Sequence, residues 1–163
     1  MTRHDPDRLA DERGALTQHL AYQRATLLMK LEGLDDQELR RAMTASGLSL
    51  LGLVRHLTVT EHGWFLSIFG GTPDPYAHLD EQPDAEFRVG DDERTAEVLD
   101  LYRQTCARAD EVVAGGELDD VVTTPWGAEV NLRAILTHMV QETARHNGHA
   151  DLMREAIDGV TGS

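Results

Sequence analysis

The sequence predicts an all-α fold, a four-helix bundle with long crossover connections. Four stretches carry apolar residues at spacings of three, four and seven, the repeat of an amphipathic helix. Two long stretches rich in Pro, Asp and Gly separate them, and no alternating pattern is strong enough to favour strands. Four amphipathic helices with two long connections are typical of a bundle. At 163 residues the chain has the size of one domain, so we expect a single domain over residues 1–163.

The first helix is predicted over about residues 7–32, and Gly33 ends it. Its apolar face consists of Leu9, Leu16, Leu20, Leu27 and Leu31. The polar segment "DDQELRRAM" that follows predicts one or two further helical turns. The second helix begins near Ser46 or Ser49, since either side chain can cap it, and "GGTPDP" ends it. Its apolar face consists of Leu50, Leu53, Leu57, Trp64 and Ile68.

Residues 71–91 predict a long crossover loop, followed by a third helix over about residues 92–114 that a Gly pair ends. The inward face of that helix is predicted to consist of Val98, Leu101, Thr105, Ala109 and Val112. The irregular segment "ELDDVVTTPWGAEV" has room for a short hairpin. Asn131 is a suitable N-cap for the fourth helix, which is predicted to run to about residue 157, before Gly159.

Composition excludes several classes of function. The formal net charge is −14, with about twice as many acidic as basic residues, which argues against nucleic acid as a partner. Cys106 is the only cysteine, so neither an intramolecular disulfide nor a CxxC zinc site can form. No apolar run approaches the roughly 20 residues that span a bilayer, so we expect no membrane partner. The charged N-terminal segment does not resemble a secretory signal, and we expect a cytoplasmic protein.

Two polar residues interrupt the apolar stripe of the fourth helix. The apolar positions of this stripe are Leu132, Ile135, Met139, Ala150 and Met153. Between them, the stripe places Glu142 and His146. A buried charged carboxylate is costly unless it is paired or bound to a metal ion. Residues four apart share a helix face, so both side chains can bind one ion at about 2.0–2.2 Å. The alternative is an ordinary polar pair.

A third ligand is available from the second helix, where His56 lies beside Leu53 and Leu57. Together with Glu142 and His146 it would form a His2Glu set, which is found at catalytic zinc sites. Two alternatives stay open: His56 is a hydrogen-bonded core histidine, or the same set binds ferrous iron as in oxygenases. The Glu-x-x-His pattern of di-iron bundles, the HExxH helix of zinc proteases, the serine nucleophile elbow and the P-loop are all missing from the sequence.

Other residues near these positions are secondary candidates. His138 and His149 flank the pair on the same helix, and each is either a substitute ligand or a residue that orients a ligand. Glu61 is a candidate to accept a hydrogen bond from a ligand histidine, or else a solvated helix residue. Cys106 is expected to be a small buried residue rather than a reactive thiol.

The segments "LSLLGLVRHLTVTEHGWF" and "NLRAILTHMVQETARHNGHADLMREAIDG" resemble the DinB-like superfamily of four-helix-bundle metalloproteins. They are most similar to its actinobacterial branch related to mycothiol-dependent maleylpyruvate isomerase. The resemblance implies a divalent metal, zinc first and nickel, iron or manganese as alternatives, held by His56, Glu142 and His146. It also implies a low-molecular-weight thiol of mycothiol type as cosubstrate. Fourteen of the fifteen basic residues are Arg, which fits a GC-rich actinobacterial genome.

Three hypotheses for the function follow. The first is a metal-dependent thiol S-transferase or thiol-dependent isomerase acting on a small electrophile, with Glu61 or His149 assisting as base or as support. The second is a metal-dependent hydrolase in which a bound water is the nucleophile. The third is a bundle that binds metal or small ligands without turnover. A homodimer is the expected assembly, because bundles with exposed apolar edges often pair.

Overall fold

The computed structural model describes residues 3–82 and 84–162. Within these residues the chain forms five α-helices and one two-stranded hairpin, so the predicted all-α class is confirmed. The helices are α1 (Glu12–Leu31), α2 (Asp36–Arg40), α3 (Leu50–Glu61), α4 (Thr95–Gly115) and α5 (Leu132–Asp158). The strands are β1 (Val121–Thr123) and β2 (Glu129–Asn131). Across the described residues, no helix combines the length and the apolar character needed to cross a membrane.

Two compact units make up the chain, one of residues up to Leu50 and from Leu136 onward, the other of Leu51–Ile135. The prediction of a single domain over residues 1–163 is not tested by this division and stays a prediction. The first unit contains α1, α2 and most of α5. The second contains nearly all of α3, the crossover loop, α4, the hairpin and the first turn of α5.

Helix α1 starts later than the predicted residue 7. The Asp11 carboxylate accepts a hydrogen bond from the Gly14 N–H at 2.8 Å, and this cap sets the helix start. Leu9 therefore lies outside the helix and is 92% exposed, so its assignment to the apolar face was wrong. The helix ends at Leu31, two residues before Gly33, whose φ of +82° suits a residue without a side chain.

Polar contacts join α5 to α1 within the first unit. The Asn147 amide donates to the backbone oxygen of Gln23 at 3.0 Å and to its side-chain oxygen at 2.7 Å. Lys30 Nζ lies 2.7 Å from Asp151 Oδ1. Arg154 donates to the backbone oxygens of Lys30 and Glu32 at 2.9 and 2.8 Å, which satisfies carbonyls at the end of α1. These bonds fix the rotation of α5 against α1 near residues 147–154.

In the second unit, α3 continues directly into a π-helical segment, His62–Phe69. Hydrogen bonds between residues five apart widen the turn there, so the buried face moves away from the 3.6-residue stripe. Phe65 and Leu66 are buried, whereas the predicted Trp64 and Ile68 are only half-buried. The second helix begins at Leu50. Of the two predicted starts, near Ser46 or near Ser49, the structure has the second.

The buried face of α4 also differs in part from its prediction. Val98, Thr105 and Ala109 are buried as expected, but Leu101 is 39% exposed and Val112 is half-buried. The buried positions also include Tyr102, Cys106 and Val113, so the inward face is centred one residue later along the helix than predicted. Cys106 is fully buried, which confirms the expectation for the only cysteine.

The predicted hairpin is present directly before α5. Val122 pairs with Val130 in antiparallel register, and Gly127, with φ +84°, lies in the turn. The Asn131 side chain accepts from the Ala134 N–H at 2.9 Å, which confirms its predicted role as the cap of α5. The hairpin thus fixes where α5 begins, and the stripe of α5 follows from that start.

Candidate metal centre

The stripe of α5 is arranged as the sequence predicts. Its five apolar positions are all buried: Leu132, Ile135, Met139, Ala150 and Met153. Between them, Glu142 and His146 lie one helical turn apart, and Glu142 Oε1 is 2.9 Å from His146 Nε2. The side chain of His146 is 4% exposed and that of Glu142 is 15% exposed. A carboxylate and an imidazole are therefore held together at the edge of a dry environment.

The surroundings of His146 favour its neutral form. Burial lowers its pKa below the ordinary value, and the nearby Glu142 carboxylate opposes this effect. His149 and Arg145 lower the pKa of His146 further. The Arg145 guanidinium also lies 3.6 Å from Glu142 Oε1. Neutral imidazole is the form that binds metal ions, so this environment suits His146 to a ligand role.

His149 contacts the far side of the His146 ring. The Nδ1 atoms of the two histidines are 3.3 Å apart, and the rings meet edge to face with centroids separated by 5.2 Å. If His146 Nε2 binds an ion, its proton resides on Nδ1 and is donated to His149 Nδ1. His149 itself is exposed, whereas His138, one turn before Glu142, is half-buried.

The ring of His56 on α3 is fixed by two residues of the crossover loop. Glu86 Oε1 lies 3.2 Å from His56 Nδ1, and the Phe87 ring stacks on the imidazole with centroids 4.2 Å apart. Both belong to a short 3₁₀ turn, Ala85–Phe87. Because Nδ1 faces a carboxylate, Nε2 is the nitrogen that we expect to bind an ion. A carboxylate on the other ring nitrogen is the usual support of a metal-binding histidine.

His56, Glu142 and His146 each offer one ligand atom, and these atoms all lie within 4.8 Å of one another. Ligand distances of about 2.0–2.2 Å place two ligands of one ion roughly 3–4 Å apart, which is comparable with this separation. Two imidazoles and one carboxylate match the donor set of catalytic zinc and of ferrous iron. The group can therefore hold a divalent metal ion.

The remaining predicted residues have less defined surroundings. Glu61, the last residue of α3, is fully buried, so the alternative of a solvated helix residue was wrong. The prediction that Glu61 or His149 assists the reaction, as a base or as support for a ligand, stays a prediction. Trp64 meets Trp126 edge to face at 5.8 Å, although Trp126 itself is 65% exposed.

Sequence reasoning missed Glu86 and Phe87. They lie in the crossover loop, where no periodic pattern relates a residue to the helix that it contacts. The only available signal was their chemistry, a carboxylate and an aromatic ring in a loop otherwise rich in Asp, Pro and Gly. The structure adds them to the candidate site as residues that contact the His56 ring.

The fold and these residues define a helical protein with a candidate His2Glu metal centre. The mycothiol-S-transferase family matches residues 15–159, so the chain belongs to this family. The predicted DinB-like resemblance is thereby confirmed. The family's name implies transferase chemistry with a small-molecule thiol.

Solved structures share the fold, and among them is "YfiT from Bacillus subtilis is a probable metal-dependent hydrolase with an unusual four-helix bundle topology". The match has a TM-score of 0.65 and 15% sequence identity, and it covers 96% of this chain and 94% of YfiT. It confirms the four-helix-bundle prediction. The comparison with curated proteins found no match.

Proposed function

We propose that this protein is a divalent-metal-dependent S-transferase that joins a low-molecular-weight thiol of mycothiol type to an electrophilic small molecule. In this proposal His56, Glu142 and His146 hold the ion. The observation that carries it is the convergence of their three ligand atoms within 4.8 Å, in a chain of the mycothiol-S-transferase family. Zinc is the first choice of metal, with nickel, iron or manganese as alternatives.

When bound, the ion supplies positive charge beside which a thiol is held as its thiolate, the nucleophilic form. The chain's own residues prepare the site for this chemistry. Burial lowers the pKa of His146 and so favours its neutral form, and its Nε2 lies 2.9 Å from Glu142 Oε1, beside the second ligand of the set. Glu142 contributes the one negative charge of the ligand set, so the set as a whole leaves net positive charge on a bound divalent ion.

His149 and Glu61 take supporting roles in the proposal. When Nε2 of His146 binds the ion, His149 is placed to accept the Nδ1 proton of His146 and to fix the ring tautomer, so it is a positioning residue that acts through His146. Glu61 is fully buried, so we assign it to a supporting carboxylate within α3 rather than to a base that meets the substrate.

Metal content tests the ligand assignment. Elemental mass spectrometry on tag-free protein should find about one divalent ion per chain in the wild type, and little in Glu142→Ala or His146→Ala. His138→Ala is the matched control, because it removes a half-buried histidine from the same helix and should retain the ion. A wild type that stays empty after incubation with zinc, nickel, iron and manganese would contradict the proposal.

Turnover separates the transferase from its competitors. Loss of an electrophile should require added thiol, and His146→Ala should abolish it. A thiol-dependent isomerase would instead return the thiol unchanged with a rearranged substrate. Thiol-independent hydrolysis would favour the second candidate, a metal-dependent hydrolase of the kind named for YfiT. A metal-loaded protein without turnover would favour the third hypothesis, a bundle that binds metal or small ligands without catalysing a reaction.

A further inference from the structure

An open cavity lies in the first unit beside His149. Its volume is about 340 Å³, within the roughly 300–1,000 Å³ typical of small-molecule pockets. Five apolar side chains line it: Met43, Leu48, Leu152, Met153 and Ala156. Met43 and Leu48 come from the segment after α2, and the other three come from the last turns of α5. Thr44 and His149 are the polar members of the lining.

His149 connects this cavity to the candidate metal centre. It lines the cavity, and its Nδ1 lies 3.3 Å from Nδ1 of His146. A molecule bound against Leu152 and Met153 would therefore lie near His149, which contacts the proposed metal ligand His146. The methionine side chains are flexible and polarizable, which suits a surface that accepts apolar groups of different shape.

We propose that this cavity binds the apolar group of the electrophile, so that the substrates of this protein are electrophiles with an aryl or alkyl substituent. This inference rests on the proposed function. The lining favours the electrophile over the thiol, because a polar thiol needs more hydrogen-bond partners than Thr44 and His149, the two polar residues among seven, provide. For an N-substituted chloroacetamide, the thiolate sulfur forms a C–S bond as the C–Cl bond breaks. Chloride leaves with the electron pair, and the thiol proton passes to water.

The test measures binding directly and needs neither metal nor turnover. Protein labelled with ¹³C at the methionine methyl groups is titrated with N-benzylacetamide and N-methylacetamide, the unreactive analogues of two chloroacetamides. N-benzylacetamide should shift the Met43 and Met153 signals, leave those of Met29 and Met139 in place, and bind at least about tenfold more tightly than the methyl analogue. Shifts elsewhere, or equal affinity for both amides, would overturn the inference.

Variants of α5 provide the matched comparison. Ala156→Phe fills the cavity from an exposed position and should abolish the Met43 and Met153 shifts. Glu155→Phe introduces the same ring at the neighbouring exposed residue, outside the lining, and should bind N-benzylacetamide like the wild type. Sedimentation at the concentration used for NMR adds one more outcome. A dimer that blocks binding and dissociates on dilution would assign the cavity to a second copy and overturn the inference.

Turnover of the chloroacetamides distinguishes this inference from the proposed function. Selective benzyl turnover that Ala156→Phe reduces about tenfold in kcat/KM supports both. Equal thiol-dependent turnover of both chloroacetamides would leave the transferase standing and overturn the assignment of the cavity. Binding of the benzyl amide without any thiol-dependent turnover would contradict the transferase, and with it the assignment of the ligand as an electrophile.

Discussion

The ring of His56 lies parallel to that of Phe87, with centroids 4.2 Å apart and planes inclined by 13°. One residue is on α3 and the other is in the crossover loop, and Glu86, next to Phe87, faces Nδ1 of the same imidazole at 3.2 Å. The loop thereby contacts both the face and the Nδ1 edge of a proposed metal ligand. A connection that the sequence marks only as long and polar is thus part of the candidate site.

Replacing Glu86 with Gln should weaken metal binding while the fold is kept. Loss of a partner that orients a ligand typically lowers metal affinity by about 10–100-fold, and we expect about tenfold because Glu86 is half-buried. Competition with a chromophoric chelator measures the change. Glu81→Gln, an exposed residue of the same loop, is the control and should bind like the wild type. Equal affinities for the two variants would show that Glu86 does not orient His56.

His149 should act through a hydrogen bond that its replacement can restore. His149→Ala removes the acceptor for the His146 Nδ1 proton, and metal affinity should fall about tenfold. His149→Gln keeps a side-chain oxygen as acceptor and should recover most of the loss. The same competition assay compares the three proteins. A Gln variant as weak as the Ala variant would indicate a role other than accepting this proton.

Lys30 and Asp151 form a second testable pair, because they join α1 to α5 at 2.7 Å. The Lys30 side chain is only 7% exposed, so Asp151→Ala leaves a cation in a dry site and should cost about 2 kcal/mol in the free energy of unfolding. In a Lys30→Met background the same change should cost less than about 0.5 kcal/mol, since no buried charge remains. Urea denaturation measures all four proteins.

The exposed pair Arg103–Asp100 on α4 provides the comparison for that cycle. Both side chains are substantially exposed, and Asp100→Ala should change stability by less than about 1 kcal/mol. If Asp100→Ala lowered the free energy of unfolding as much as Asp151→Ala does, burial of Lys30 would not be the cause of the larger destabilisation.

The candidate ligands on α5 were predictable because a single strong pattern fixes them. Five apolar residues at helical spacing define the inward stripe, so Glu142 and His146 stand out as two violations of it. His56 was predictable for the same reason, since it lies beside buried Leu53 and Leu57. Glu86 and Phe87 were not, because a loop residue reaches its partner through tertiary structure, which periodicity does not encode.

Local geometry explains the misplaced end of the second apolar stripe, and tertiary contacts account for a burial that no local pattern indicates. The π-helical segment after α3 changes the number of residues per turn, so a stripe extrapolated at 3.6 residues misplaces Trp64 and Ile68. Lys30 is the only lysine in the chain and is buried, although a lysine alone predicts a solvent-exposed residue. Its burial depends on Asp151, more than a hundred residues away in the sequence, and no local pattern indicates that pairing.

Gly116 directly follows α4, and a side chain at this position should destabilise the fold. A Cβ at this position would lie 2.7 Å from both Cε1 and Cζ of Phe69, the last residue of the π-helical segment. Gly116→Ala should therefore push the ring aside and cost about 1–2 kcal/mol in the free energy of unfolding.

Gly115→Ala is the adjacent control, because a Cβ there meets no atom within 4 Å. It should be neutral or stabilise by up to about 1 kcal/mol, since Ala favours the helix. Combining Gly116→Ala with Phe69→Ala should remove the added cost of the first change, because the atoms that it meets are gone. Urea denaturation of these variants decides the matter, and a cost of Gly116→Ala that persists without the Phe69 ring would place its cause in the backbone.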